Sequence, residues 1–113
     1  MLVVTWSTDG AGNCVVLDGQ PYVYARTTAG EFVLPAACPH RGGPLHLAAL
    51  RPGTTRLVCP WHERATSVTR AVRAGVPAVR CGRRVTAVFD LPDSTPFTVE
   101  YRPLSDDLVG GRA

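Results

Sequence analysis

Apolar positions along this chain gather in short β-type runs divided by glycine, proline and aspartate, and in some of these runs they alternate with a period of two. Residues 2–6 form a compact β-type run, and the glycine-rich residues 7–13 read as a turn. Residues 14–17 predict a second strand. Asp18-Gly19 then predicts a tight hairpin, because both central positions of a type I′ turn need positive φ. Residues 21–26 return as a third strand with Tyr22 and Tyr24 on one face and Val23 and Ala25 on the other. After a turn over 27–30, residues 31–37 predict a fourth.

The middle of the chain is less regular. Residues 45–50 fit either a short helical turn or an extended segment, and Pro52-Gly53 marks a turn. Residues 54–58 predict a strand that delivers Cys59. Residues 63–74 lack Gly and Pro, but Thr66–Thr69 is rich in β-branched residues, so a strand is expected, ended by Gly75 and Pro77. Further on, residues 84–90 place Val85, Ala87 and Phe89 on one face. Residues 97–101 do the same with Phe97, Val99 and Tyr101, and the two runs are expected to pair as a closing hairpin across the turn at 91–96. Residues 105–113 are polar and contain glycine, which predicts a frayed tail. Regularly spaced short strands with turn signals give the class as all-β, a small antiparallel domain.

Composition narrows this reading. A chain of 113 residues supports one core and one domain, residues 1–113. No apolar run approaches the roughly 20 residues that a membrane-spanning helix needs, and no export or organelle-targeting pattern opens the sequence, so a cytoplasmic location and no membrane partner are expected. Charge is segregated: residues 41–84 hold nine arginines and one acid, Glu63, while the other eight acids precede residue 32 or follow residue 89. The arginines are scattered with no aromatic platform, which argues against nucleic-acid binding. Two of the four cysteines, Cys14 and Cys81, lie outside any ligand pattern and are expected as buried free thiols on strands rather than as a disulfide.

The candidate chemistry lies in residues 38–62, CPHRGGPLHLAALRPGTTRLVCPWH. Cys38 and His40 form one cluster, Cys59 and His62 another, and a proline follows each cysteine. Two thiolates and two imidazoles make a metal-ligand set. With CPHRGGPL and CPWH as they stand, the stretch resembles the cluster loops of the Rieske iron–sulfur family.

That resemblance implies a β-sandwich with an inserted cluster-binding subdomain, about residues 36–68, and one 2Fe–2S cluster. Cys38 and Cys59 would hold the buried iron, His40 and His62 the outer one, with electrons leaving through the imidazole edges. Two ferric ions and two sulfides carry a formal charge of plus two, so two thiolates bring the oxidised site to zero. An all-thiolate site would begin at minus two. Neutral imidazoles therefore ease reduction, raising the potential from about −400 mV to roughly −150 to +300 mV.

High-potential members of the family carry additional cysteines where this chain has Gly43 and Trp61, and a serine after the second motif that is missing here. A low- to mid-range potential is therefore expected. The usual glycine and aromatic after the second histidine are replaced by Glu63 and Thr66. Trp61 is expected to shield the loop, Arg41 to brace it, and His46 to lie at the surface or beside the ligands.

The leading functional reading is an electron carrier for a redox partner, an oxygenase, a cytochrome P450 or a reductase with an acidic docking face. A chain of this length has no room for an oxygenase catalytic domain. A Cys₂His₂ zinc module and a non-redox accessory subunit are the alternatives.

Overall fold

A computed structural model describes all residues except 29, 38–43, 52, 53, 55, 61–64, 68–74 and 111–113. Among the described residues strand makes up 53% and helix 7%, which fixes the class as all-β. The strands are β1 (Leu2–Ser7), β2 (Cys14–Leu17), β3 (Gln20–Thr27), β4 (Gly30–Pro35), β5 (Ala49–Leu50), β6 (Arg56–Val58), β7 (Ala65–Ser67), β8 (Ala78–Cys81), β9 (Arg84–Phe89) and β10 (Phe97–Glu100). They form three antiparallel sheets in the orders β1-β9-β8, β10-β2-β3-β4 and β5-β6-β7.

The four-stranded sheet is the middle layer, and its side chains show why. On β2, β3 and β4 both faces are apolar, so each needs a cover. Val15, Leu17, Tyr24 and Val33 pack against Leu2, Val4, Trp6, Val85, Ala87 and Phe89 of the β1-β9-β8 sheet. Cys14, Val23, Ala25, Phe32 and Leu34 face the opposite way, onto Ala36, Leu45, Ala48, Leu57, Cys59 and Leu108. The predicted division of Tyr22 and Tyr24 from Val23 and Ala25 is this division between two cores. The Asp18-Gly19 turn also forms as expected, with φ of 51° and 79°.

The outer β1-β9-β8 sheet is one strand narrower than the middle one. β1 faces β2; Phe89 on β9 meets Tyr22 on β3 with ring centroids 5.1 Å apart; Arg80 on β8 reaches Glu31 on β4. All four residues of β10 are exposed, and no strand among the described residues covers them. The expected hairpin between residues 84–90 and 97–101 therefore does not form. β9 fills the gap between β1 and β8, and the 91–96 connection carries the chain into the other sheet, where β10 pairs with β2.

Three other expectations change. Residues 78–81 form a strand, β8, joined to β9 through Gly82 at φ 61°. Its last residue, Cys81, is exposed rather than buried, whereas Cys14 is fully buried, and neither is in a disulfide among the described residues. Residues 105–110 are not frayed: Asp106–Leu108 is a 3-10 turn, Leu108 is fully buried, and Gly110 N–H donates to Arg26 O at 2.6 Å. Of the strand expected over 63–74, Ala65–Ser67 is present, and the rest lies outside the described residues.

Candidate metal centre

Two loops carry the four expected ligands, and the same device closes each at its base. The chain leaves β4 at Pro35, and Ala37 pairs with Pro44 in an isolated antiparallel bridge that encloses the six residues 38–43. In the second loop, Val58 at the end of β6 pairs with Ala65 at the start of β7, enclosing the six residues 59–64. Each loop therefore opens on a cysteine, Cys38 or Cys59, directly after the residue that pairs across its neck.

Of the four, Cys59 is the one within the described residues. It is 1% exposed and belongs to the same buried cluster as Ala36, Leu45, Ala48 and Leu57. Cys38, His40 and His62 lie outside the described residues, as do Arg41, Gly43, Trp61 and Glu63. Among the described residues no group of three or more His, Cys, Asp or Glu side chains is placed to hold a metal.

The necks of the two loops are connected physically. Ala36, one residue before the first neck, packs in the cluster that holds Cys59. Ala36 O accepts a hydrogen bond from Leu45 N–H at 3.0 Å, just past the neck. The segment between the loops, a 3-10 turn at Leu45–Leu47 followed by β5, pairs Ala49 with Val58, the residue before Cys59.

His46 lies in this segment and is not a surface residue. It is buried, with Nδ1 3.2 Å from Ala36 O. A carbonyl only accepts, so Nδ1 carries the proton and donates. The imidazole thus secures the carbonyl two residues before Cys38. Sequence reading left His46 either at the surface or beside the ligands and could not see this bond, because its partner is ten positions away.

The donor set and its cradle suit a Rieske cluster. An oxidised core with two thiolates and two neutral imidazoles has no net formal charge. It therefore costs little to hold against apolar groups such as Leu45, Ala48 and Leu57, where an isolated charge would be strongly penalised.

Comparison with known proteins agrees. No curated protein and no solved structure matches the chain. The family model for the Rieske [2Fe-2S] domain matches residues 5–99, a span that contains both loops and nine of the ten strands in whole or large part. Such domains bind a 2Fe–2S cluster through two cysteines and two histidines and serve in electron transfer. With that match over most of its length, the chain belongs to the Rieske 2Fe–2S domain family.

Proposed function

We propose that Cys38, His40, Cys59 and His62 hold the cluster, the cysteines on the inner iron and the histidines on the outer. In this reading the protein passes single electrons to or from a separate redox enzyme, an oxygenase, a cytochrome P450 or a reductase. The observation that supports it best is the matched pair of six-residue loops, each opening on a cysteine behind a paired neck, with Cys59 buried beside the base of the other loop. Bound there, the cluster supplies a one-electron couple. The chain's part is to bury the thiolate side and hold the two necks at a fixed separation.

Residues 1–113 act as one domain, with the segment of about 36–68 as its cluster-binding insert. Among the described residues the sheet β5-β6-β7 is hydrogen-bonded to neither of the other two sheets, as an insert would be. The partner is expected to present an acidic face to the arginine-rich half of the chain.

The test is spectroscopic. Protein reconstituted with iron and sulfide should be coloured, and should give an EPR signal on reduction that Cys59→Ser or His62→Ala abolishes. Tight binding of one zinc ion in a colourless, EPR-silent protein would replace this reading with the zinc module. Retention of an unaltered cluster by both variants would refute the ligand assignment. A redox titration placing the potential at the top of the Rieske range would reject the low- to mid-range value drawn from Gly43 and Trp61.

A further inference from the structure

We propose that residues 104–110 are a positioning strap that fixes the separation of the two ligand loops. The inference rests on the ligand assignment above and concerns residues that the family match, ending at residue 99, does not reach.

The loops hang from different elements, one from β4 and the other from the β6–β7 hairpin. The segment 45–50 links them, joined at one end to the Pro44 neck and at the other to β6. Whatever holds this segment therefore sets where one loop stands relative to the other. On its inner side it is held by the buried Leu45 and by His46 Nδ1–H donating to Ala36 O.

Its other side is held from the strap, at every second residue. Ser105 N–H donates to His46 O at 3.1 Å. Ser105 Oγ donates to Ala48 O at 2.5 Å. Leu50 N–H donates to Asp107 Oδ2 at 2.8 Å. Positions 46, 48 and 50 thus present a row of backbone groups as a strand edge would, and two side chains and one amide of the strap satisfy them.

The strap is itself fixed to the base of the fold. Leu108 is fully buried in the cluster that contains Cys59 and Leu57. Val109 bridges Arg26 on β3, and Gly110 N–H donates to Arg26 O. A rigid path therefore runs from β3 through residues 110–105 to the segment between the loops. None of these residues is a ligand; each acts through the backbone that carries the ligands.

The test compares Asp107→Ala, Asp107→Asn and Ser105→Ala with Val4→Ala, which weakens the core on the far side of the middle sheet. Loss of the cluster is followed by bleaching in the presence of a chelator, below the unfolding temperature, together with the reduction potential and EPR line shape. Removing a charge-assisted hydrogen bond from the segment should speed bleaching in Asp107→Ala roughly tenfold or more. It should also shift the potential, whereas Val4→Ala lowers thermal stability without either effect.

Asp107→Asn keeps a carbonyl acceptor for Leu50 N–H and should restore both properties. The strap proposal is overturned if Asp107→Ala bleaches no faster than Val4→Ala, or if Asp107→Asn behaves as Asp107→Ala, since the carboxylate charge would then be the cause. A wild-type protein that takes up no cluster would sink the ligand assignment and the strap together. A coloured wild type with an indifferent Asp107→Ala would sink the strap alone.

Discussion

The side chain of Asn13 pairs with the backbone of Arg102 as a strand residue would. Its Oδ1 accepts from Arg102 N–H at 2.8 Å and its Nδ2 donates to Arg102 O at 2.7 Å. The pair continues the β2–β10 ladder beyond Cys14 and Glu100, and it sets the point where the chain turns from β10 toward the strap. Asn13 is 2% exposed, so truncation leaves polar groups that water does not readily replace. Asn13→Ala should cost about 1–3 kcal/mol of stability. Denaturant unfolding will measure it. A change below a few tenths would mean that water substitutes for the amide.

Glu31 ties the outer and middle sheets at their β8–β4 edge. Its Oε1 accepts from Arg80 Nε at 3.0 Å and from Tyr24 Oη at 3.1 Å. The bond from Arg80, with lesser help from Tyr24 and the guanidinium charge, holds the carboxyl below its usual pKa against the opposing effect of burial. The native state thus binds this proton less tightly than the unfolded chain, whose glutamates titrate near about 4.3. The contribution is therefore present above that value and lost as pH falls through the lower folded value. Glu31→Gln should melt below wild type at neutral pH, and the two curves should converge in acid. A gap of the same size near about pH 3 would place its origin elsewhere.

The two cysteines outside the ligand loops should differ sharply in reactivity. Cys14 is fully buried, and burial raises its thiol pKa despite the opposing charge of Arg102. Cys81 sits exposed on the edge strand β8. Since the thiolate is the reactive form, iodoacetamide should label Cys81 in the native protein and Cys14 only after unfolding. Peptide mapping distinguishes them, and label on Cys14 under native conditions would contradict the packing. The raised pKa also has a sign for stability: the native state keeps the Cys14 proton, so stability should decline as pH rises beyond about 8.5.

What could be read from the sequence follows from how local each signal is. β9 announced itself through the alternation that one buried face imposes, and β1 to β4 through compact apolar runs bounded by turn residues. β8 was missed because Val79 and Cys81 point outward while Arg80 occupies the inner row. The pairing of β9 and β10 was misread because nearness in sequence suggested a hairpin, whereas the faces awaiting cover lay in different sheets. The strap left almost no trace: Ser105 and Asp107 bond to backbone groups 57 positions away, and its apolar residues, Leu104, Leu108 and Val109, follow no strand or helix period. The ligand pattern was the clearest feature, because cluster chemistry specifies residue types where packing specifies only size and polarity. Spacing alone did not show that the two loops are of equal length between paired necks.

The charge segregation becomes more specific once its partners are placed. Arg80 and Arg83 reach Glu31 and Asp9, acids from the N-terminal part of the chain, so these two positive charges are already answered. Arg51 and Arg56 are exposed, and neither has a carboxylate at ion-pair distance among the described residues. They flank the β5–β6 turn, joined by Arg51 N–H donating to Arg56 O. Arg56 precedes Cys59 by three residues of strand, about 10 Å. That is within the reach of an unscreened charge at low ionic strength, where the Debye length exceeds about 10 Å. The reduced protein should therefore be oxidised faster by anionic ferricyanide than by a cationic cobalt complex of similar driving force, and salt should narrow the difference. Arg56→Gln should slow the ferricyanide reaction at low salt and flatten its salt dependence, while Arg83→Gln, which removes the same unit of charge but whose guanidinium Asp9 already offsets, should do so much less. Equal losses in the two variants would show that net charge, rather than the charge on this turn, governs the approach.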